Sequence, residues 1–451
     1  MTKKSSGAFR PETELLLACA CSSPDAERVQ RVRELLHLPL DWPSLIEEAQ
    51  RHGVLSLVYR NFKNHFPPFI PSSLLEKMKN QHFLQAASSL RLTRHFHRLL
   101  DCFQENQIPV IPYKGPALAV SLYGDLSLRS FGDLDFLVLK KDLPRAKRLL
   151  FSQGYKWPFN LNGSREESFL QSDEGCLMRH AQNGAAIEVD ATITPREFPV
   201  PLGVETFWDE TEHTFFEGRP LLAFKPEDLF LILCVHGSKH GWERLIWVCD
   251  LAELARQAGN MDWEKVMVRA RKLGCERMVC LGLRLISGLF SSPLPPAILV
   301  RTRTPEVDSL AQGVLERFGE EGKVFPSEGW ALTRYYLSLC ERRCDRAAFL
   351  LRLAFVPSVL DWVSFPLPRI LSPLYYLIHP VRLVGKYAFF PPASMNSPQD
   401  RKASRLASKF RISPDFHRPI FSLPAQIPRD FPAPLSFSPS PRSRPKGGRT
   451  P

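Results

Sequence analysis

Two aspartates one residue apart, Asp133 and Asp135, stand at the head of an uninterrupted apolar run, Phe136-Leu-Val-Leu139. No other stretch constrains the fold as much. The run reads as a strand buried on both faces. A strand alternates its faces, so the two carboxylates share one side, with Leu134 and Phe136 on the other. Aspartates leading into a buried strand are costly unless something satisfies their charge. Just upstream, the apolar strand Ile108–Tyr113 turns at Gly115 into a short helix over Pro116–Tyr123. Two carboxylates on one face beside a glycine turn form a hard oxygen site for Mg²⁺ bound to phosphates. The expectation is an enzyme that transfers a nucleotide. A capped turn with hydrogen-bonded carboxylates would account for the aspartates alone.

Around this block the chain changes character. Residues 1–100 read as helices: Trp42, Leu45, Ile46 and Ala49 recur at helical spacing, with Asp41 as N-cap and Pro43 in the first turn. Gly53 interrupts the pattern, and Ser88–Phe103 gives another amphipathic helix. Residues 101–224 form a small α/β unit. After the Asp133–Leu139 strand comes a helix, Leu143–Gln153, stopped by Gly154. Cys176–Ala181 and Ala185–Ile193 then read as two strands around the Gln182-Asn183-Gly184 turn, a hairpin signal. Residues 225–390 return to helix: one opened by Pro226 and closed near Gly237, then Trp242–Arg256 and Met261–Leu273. The proline- and aromatic-rich stretch 355–390 is expected as short packed pieces. Residues 391–451 hold 13 of the 40 prolines and are expected to be disordered, since they cannot bury enough surface to offset chain entropy.

Charge and cysteine usage exclude several classes. Net charge is +12, but residues 391–451 carry 11 Lys/Arg and 3 Asp/Glu, giving +8 and leaving about +4 for the body. The high pI therefore says little about the folded part. The tail suits anionic surfaces or nucleic acid, or is a solvated tail with no fixed partner. Ten scattered cysteines without a CxxC pair read as free thiols in a reducing cytosol, so a cytoplasmic location is expected. Leu15-Leu-Leu-Ala-Cys19 resembles a lipoprotein cleavage box, but Glu12 and Glu14 interrupt the required apolar core, and a helix beginning near Pro11 is the better reading. No membrane span is expected. His236 and His240 sit four apart, but Gly-Ser-Lys replaces the metalloprotease glutamate, and zinc is not expected there. Walker A, Rossmann and GxSxG patterns are missing.

Lys114-Gly-Pro, Leu122-Tyr-Gly-Asp125, Arg129 and Gly132-Asp-Leu-Asp135 closely resemble the uncharacterised nucleotidyltransferase family of the DNA polymerase β-like superfamily. The likeness extends to Ala49–Tyr59 (AQRHGVLSLVY), to Leu231–Leu254 (LILCVHGSKHGWERLIWVCDLAEL), and to Asp361-Trp with Tyr376-Leu-Ile-His-Pro, covering roughly residues 40–388. It implies an α+β fold: a polymerase β-like α/β domain flanked by helical regions. It implies two Mg²⁺ ions, with Mn²⁺ as a substitute, held by Asp133, Asp135 and a third carboxylate. Glu188 and Asp190, on one face of the strand Ile187–Asp190, both offer that third group. Glu188 is preferred, although Asp190 occupies a slot where similar sequences carry histidine. Lys114, Gly115, Arg129 and Gly132 would bind the nucleotide, Arg129 through its planar fork. Pro116 removes one amide donor after the glycine, and Lys114 either supplies positive charge or forms a salt bridge at the strand end. His236, Lys239, His240, Trp242 and Arg244 would line the helical wall, with Lys239 or Arg244 on phosphate and Trp242 stacked on a base. Asp250 is expected to pair with an arginine.

The implied activity moves a nucleoside monophosphate from a triphosphate to a small molecule, a protein hydroxyl or an RNA end, releasing pyrophosphate. The rival readings are a nucleotide-binding protein that does not catalyse, and a membrane-surface adaptor using residues 355–390 and the basic tail.

Overall fold

The computed structural model describes residues 9–157, 167, 170, 175–259, 261–292, 294–319, 325–326, 329–357, 361 and 369–389. The tail assigned to 391–451 lies outside the described residues. The fold is mixed α+β. Helices α1 (Pro11–Cys19), α2 (Ala26–Leu36), α3 (Trp42–Arg51) and α4 (Leu55–His65) open the chain. The Asp41 carboxylate accepts from the Ser44 amide at 3.1 Å, so α3 starts where the capping signal places it. Helix α5 runs over Ser72–Glu105, far longer than its amphipathic half alone suggests. Its first half exposes Phe83 and Leu84 and so lacks a clean apolar stripe.

Strand β1 (Val110–Pro112), helix α6 (Gly115–Tyr123), strand β2 (Asp133–Val138), helix α7 (Leu143–Ser152) and strands β3 (Tyr155–Lys156), β4 (Cys176–His180) and β5 (Ala186–Asp190) follow. They make one mixed sheet in the order β1-β2-β5-β4-β3. β2 lies antiparallel to β1 and parallel to β5, while β4 and β5 form the expected hairpin. The back of β2 and β5 presents Leu134, Phe136, Val138, Ile187 and Val189, all buried with residues of α5 and α7. At about 2 kcal/mol per buried side chain, this face contributes on the order of 10 kcal/mol, enough to fix the register that keeps the acids on the opposite face.

The front face belongs to a different core. Ile111 and Leu137 join Leu15, Leu57 and Phe62 from the N-terminal helices and Phe230, Leu251 and Leu283 from the C-terminal ones in a single cluster. The C-terminal helices begin with α8 (Glu205–Trp208), then α9 (Pro226–Lys239), α10 (Leu245–Gln257), α11 (Trp263–Leu273) and α12 (Glu276–Phe290). Between α8 and α9, strands Glu212–Phe216 and Arg219–Ala223 form a separate antiparallel hairpin. So the helices before and after the sheet share one body, and the sheet lays its acid-bearing face against it. Hydrogen bonds across the seam agree: the Ser22 amide donates to Glu253 Oε1 at 2.9 Å, and the Ile246 amide donates to the His52 carbonyl at 3.1 Å.

Two helix ends differ from the sequence reading: the helix expected over Trp242–Arg256 begins at Leu245, and the one before it runs on past its expected stop. Gly237 does not close α9, which continues to Lys239. A Cβ at Gly237 would lie 2.5 Å from the Trp242 ring, so the glycine admits the indole where any side chain would exclude it. The stretch 355–390 gives a 3-10 turn at Arg369–Leu374 and a helix at Tyr375–Phe389, with residues 358–360, 362–368 and 390 outside the described set. The ten cysteines are all unpaired thiols. Among the described residues no helix is long and apolar enough to cross a membrane.

Candidate functional site

Parallel pairing sets the site. β2 and β5 align Asp133 with Ala186, Asp135 with Glu188 and Leu137 with Asp190. Asp133, Asp135, Glu188 and Asp190 therefore share one face, and Asp135 and Glu188 are neighbours across the ladder. Glu188, Asp190 and Asp135 line a cleft with Tyr113, Thr192 and Lys239, the last from the final turn of α9. The sheet thus supplies acids, and the helical body closes the opposite wall with basic groups.

Gly115 makes the turn. It adopts φ +57, and a Cβ there would sit 3.4 Å from the Asp133 carbonyl. A side chain would be strained in backbone and pressed on the strand that carries the acids. Gly132 lies exposed in the loop entering β2. Lys114, just before the helix, donates from Nζ to Asp135 Oδ1 at 3.1 Å and sits 4.5 Å from the Tyr113 ring centroid. Of the two roles open to Lys114, the structure holds the salt bridge. Burial alone would lower its pKa, but Asp135, Tyr113 and Glu188 outweigh that and raise it, so Lys114 is charged.

The four acids differ in environment. Burial, then Asp135 and Glu188, push Asp133 from 3.8 up to about 7, with Lys114 and Arg244 opposing. Burial and Glu188 raise Asp190 to about 6. Its Oδ1 accepts from the Thr192 amide and hydroxyl, each at 2.8 Å, and its carboxyl fills the space where a Cβ on Gly175 would stand. Asp190 is thus tied down by local bonds, whereas Glu188 faces the cleft beside Asp135. Among the described residues, no three such side chains are gathered closely enough to hold an ion as they stand.

The basic wall is mixed. Lys239 is pulled down by burial and held up by Glu188. Arg244 flanks the start of α10, with Asp133 the leading opposite charge acting on it. His236 is driven well below its ordinary value, first by burial and then by Lys114, so it is neutral at pH 7. His236, His240 and Trp247 pack ring to ring, with centroids 4.7–5.3 Å apart.

Two expectations are corrected. Arg129 is 5% exposed, and its fork grips Asp250: Nε lies 3.0 and 3.1 Å from the two carboxylate oxygens, and Nη2 lies 2.9 Å from Oδ2. The guanidinium is thus buried in an ion pair and does not line the cleft, while Asp250 takes the arginine partner expected of it. Trp242 is fully buried at φ +58 with its ring on Gly237, so no base can stack on it here. Two residues were not singled out by sequence: Tyr113, whose ring backs Lys114, and Thr192, which holds Asp190. An Asp-x-Thr spacing after a strand is the signal that could have found Thr192.

Asp133 gives a stability prediction. Its folded pKa is raised, so its contribution is fully present below about pH 4 and is lost as pH rises through about 7. Each pKa unit is about 1.4 kcal/mol, and partial solvent access roughly halves the total. Asp133→Asn is therefore expected to stabilise the metal-free protein by roughly 2 kcal/mol at pH 8 and to leave it unchanged near pH 4. Urea unfolding at the two pH values checks this, and an equal effect at both would mean that the buried charge of Asp133 is not its cause.

A family model described as an uncharacterised nucleotidyltransferase matches residues 39–291, more than half of the chain. No curated protein matches. Among solved structures, an antigenic nucleotidyltransferase-like protein from Paracoccidioides brasiliensis is similar at 12% identity, covering 48% of this chain and 96% of that one, with a TM-score of 0.26.

Proposed function

We propose, for a chain that belongs to the uncharacterised nucleotidyltransferase family, that the cleft between β2/β5 and α9 transfers a nucleoside monophosphate from a triphosphate to an acceptor hydroxyl. The observation that carries this reading is the register of Asp135 against Glu188, with Asp133 on the same face and Lys239 opposite. Three carboxylates so placed are hard oxygen donors, and the burial and mutual repulsion that raise Asp133 are what a divalent cation would offset. The donor set therefore fits Mg²⁺, or Mn²⁺ in its place, held by Asp133, Asp135 and Glu188. The bound ions would polarise the acceptor hydroxyl and stabilise the departing pyrophosphate.

The chain's own residues do the rest. Gly115 lets the backbone at the start of α6 approach phosphate oxygens, and amides of that first turn face them. Lys239 and Arg244, on the helical wall, bring positive charge to the triphosphate. Asp190, tied by Thr192, supports Glu188 rather than replacing it as the third ligand. A small-molecule, protein or RNA acceptor would enter from the open side of the cleft.

Calorimetric titration of ATP, GTP, CTP and UTP tests the reading, with and without Mg²⁺, on wild type and Asp133→Ala/Asp135→Ala. One triphosphate is expected to bind only with Mg²⁺, with affinity lowered at least about a hundredfold in the double variant. Equal binding by both proteins would remove the aspartates from the nucleotide site.

A further inference from the structure

We propose that Lys114 is a built-in counter-ion that holds Asp135 in the metal-free protein and passes from it to the triphosphate when a divalent cation arrives. This rests on the functional reading above and adds to it an exchange of partners at one side chain.

The geometry carries it. Lys114 Nζ stands 3.1 Å from Asp135 Oδ1, and both side chains are nearly closed to solvent, at 11% and 6% exposure. An ammonium on that oxygen takes one of the carboxylate's lone-pair sites and repels a divalent cation approaching the others, so the two oppose each other at Asp135. This fits the finding that the described acids do not gather around a common point. The Tyr113 ring, 4.5 Å away, supports the ammonium from a second side.

Contrast with Arg129 shows which cation is free to move. Arg129 is anchored to Asp250 through two nitrogens and both carboxylate oxygens, and it holds its place as a planar fork. Lys114 reaches only one oxygen of Asp135, from a flexible four-carbon stem with the Tyr113 side chain beside it. It also directly precedes Gly115 at the start of α6, where first-turn amides favour an anion. A divalent cation on Asp135 would repel the ammonium, and triphosphate oxygens would give it a new partner within reach. Lys114 is therefore a positioning residue with two successive partners.

Two probes separate this from a purely structural lysine: Mn²⁺ alone, and tripolyphosphate in excess Mg²⁺. Lys114→Gln keeps a donor for Asp135 but removes the charge, and Lys114→Met removes both. Each variant is expected to bind Mn²⁺ at least about tenfold more tightly than wild type, and Mg²⁺-tripolyphosphate at least about tenfold more weakly. A lysine that only braces the fold would weaken both. Wild-type Mn²⁺ binding with no gain in either variant overturns the exchange alone. No Mn²⁺ binding by any of the three proteins overturns the exchange together with the metal reading of the site.

Discussion

Asp250→Ala is expected to destabilise the protein by about 3–5 kcal/mol, a large part of the stability of an ordinary domain. The Asp250 carboxylate is buried and accepts from Arg129 through Nε and Nη2, and from the Tyr123 hydroxyl at 3.0 Å. Truncation leaves a guanidinium and a phenol with no partner in the seam between α6, α10 and the loop entering β2. The loss comes from that uncompensated charge, so removing both ions should restore most of it. Arg129→Met/Asp250→Leu is expected to recover at least half of the deficit, because apolar pairs of similar volume replace buried ion pairs at little cost. Urea unfolding of the single and double variants decides the matter. A single variant within about 1 kcal/mol of wild type would mean water reaches Arg129 and the clamp is weak.

Asp135→Asn is expected to lower nucleotidyl transfer at least about a thousandfold, about 4 kcal/mol of barrier, while the protein stays folded. Asn fits the same space and still accepts from Lys114, so packing is preserved. What goes is the charge at the position that faces Glu188 across the ladder. Pyrophosphate release with the triphosphate selected by titration measures the rate, and the thermal midpoint controls for folding. A rate within tenfold of wild type would take Asp135 out of the reaction.

Local signals made much of this molecule legible. The Asp41 cap, the glycine turn at 115, the acid-headed strand and the hairpin around Asn183 each depend on a few adjacent residues, and each lies where its residues indicate. What escaped was non-local. Arg129 reads as a loop arginine facing phosphate until Asp250, 121 residues on, takes its guanidinium. Trp242 reads as the head of a helix with its ring turned to a base because a left-handed backbone at a non-glycine residue leaves no sequence trace. Gly237 reads as a stop because helix propensity penalises glycine, yet close packing against an indole overrides propensity. The first half of α5 hid for a similar reason: a helix exposing Phe83 and Leu84 breaks the amphipathic rule used to find it.

The shared core has a consequence for how this chain comes into being on a ribosome. Helix α1 packs against α12, whose first residue is Glu276, so more than 250 residues separate the two halves of one hydrophobic body. At about 5–20 residues per second, roughly 15–50 s pass before the second half emerges. Leu15, Leu57 and Phe62 must wait through the synthesis of the whole sheet with their apolar surface only partly covered. The nascent N-terminal helices thus expose apolar surface until their C-terminal partners emerge.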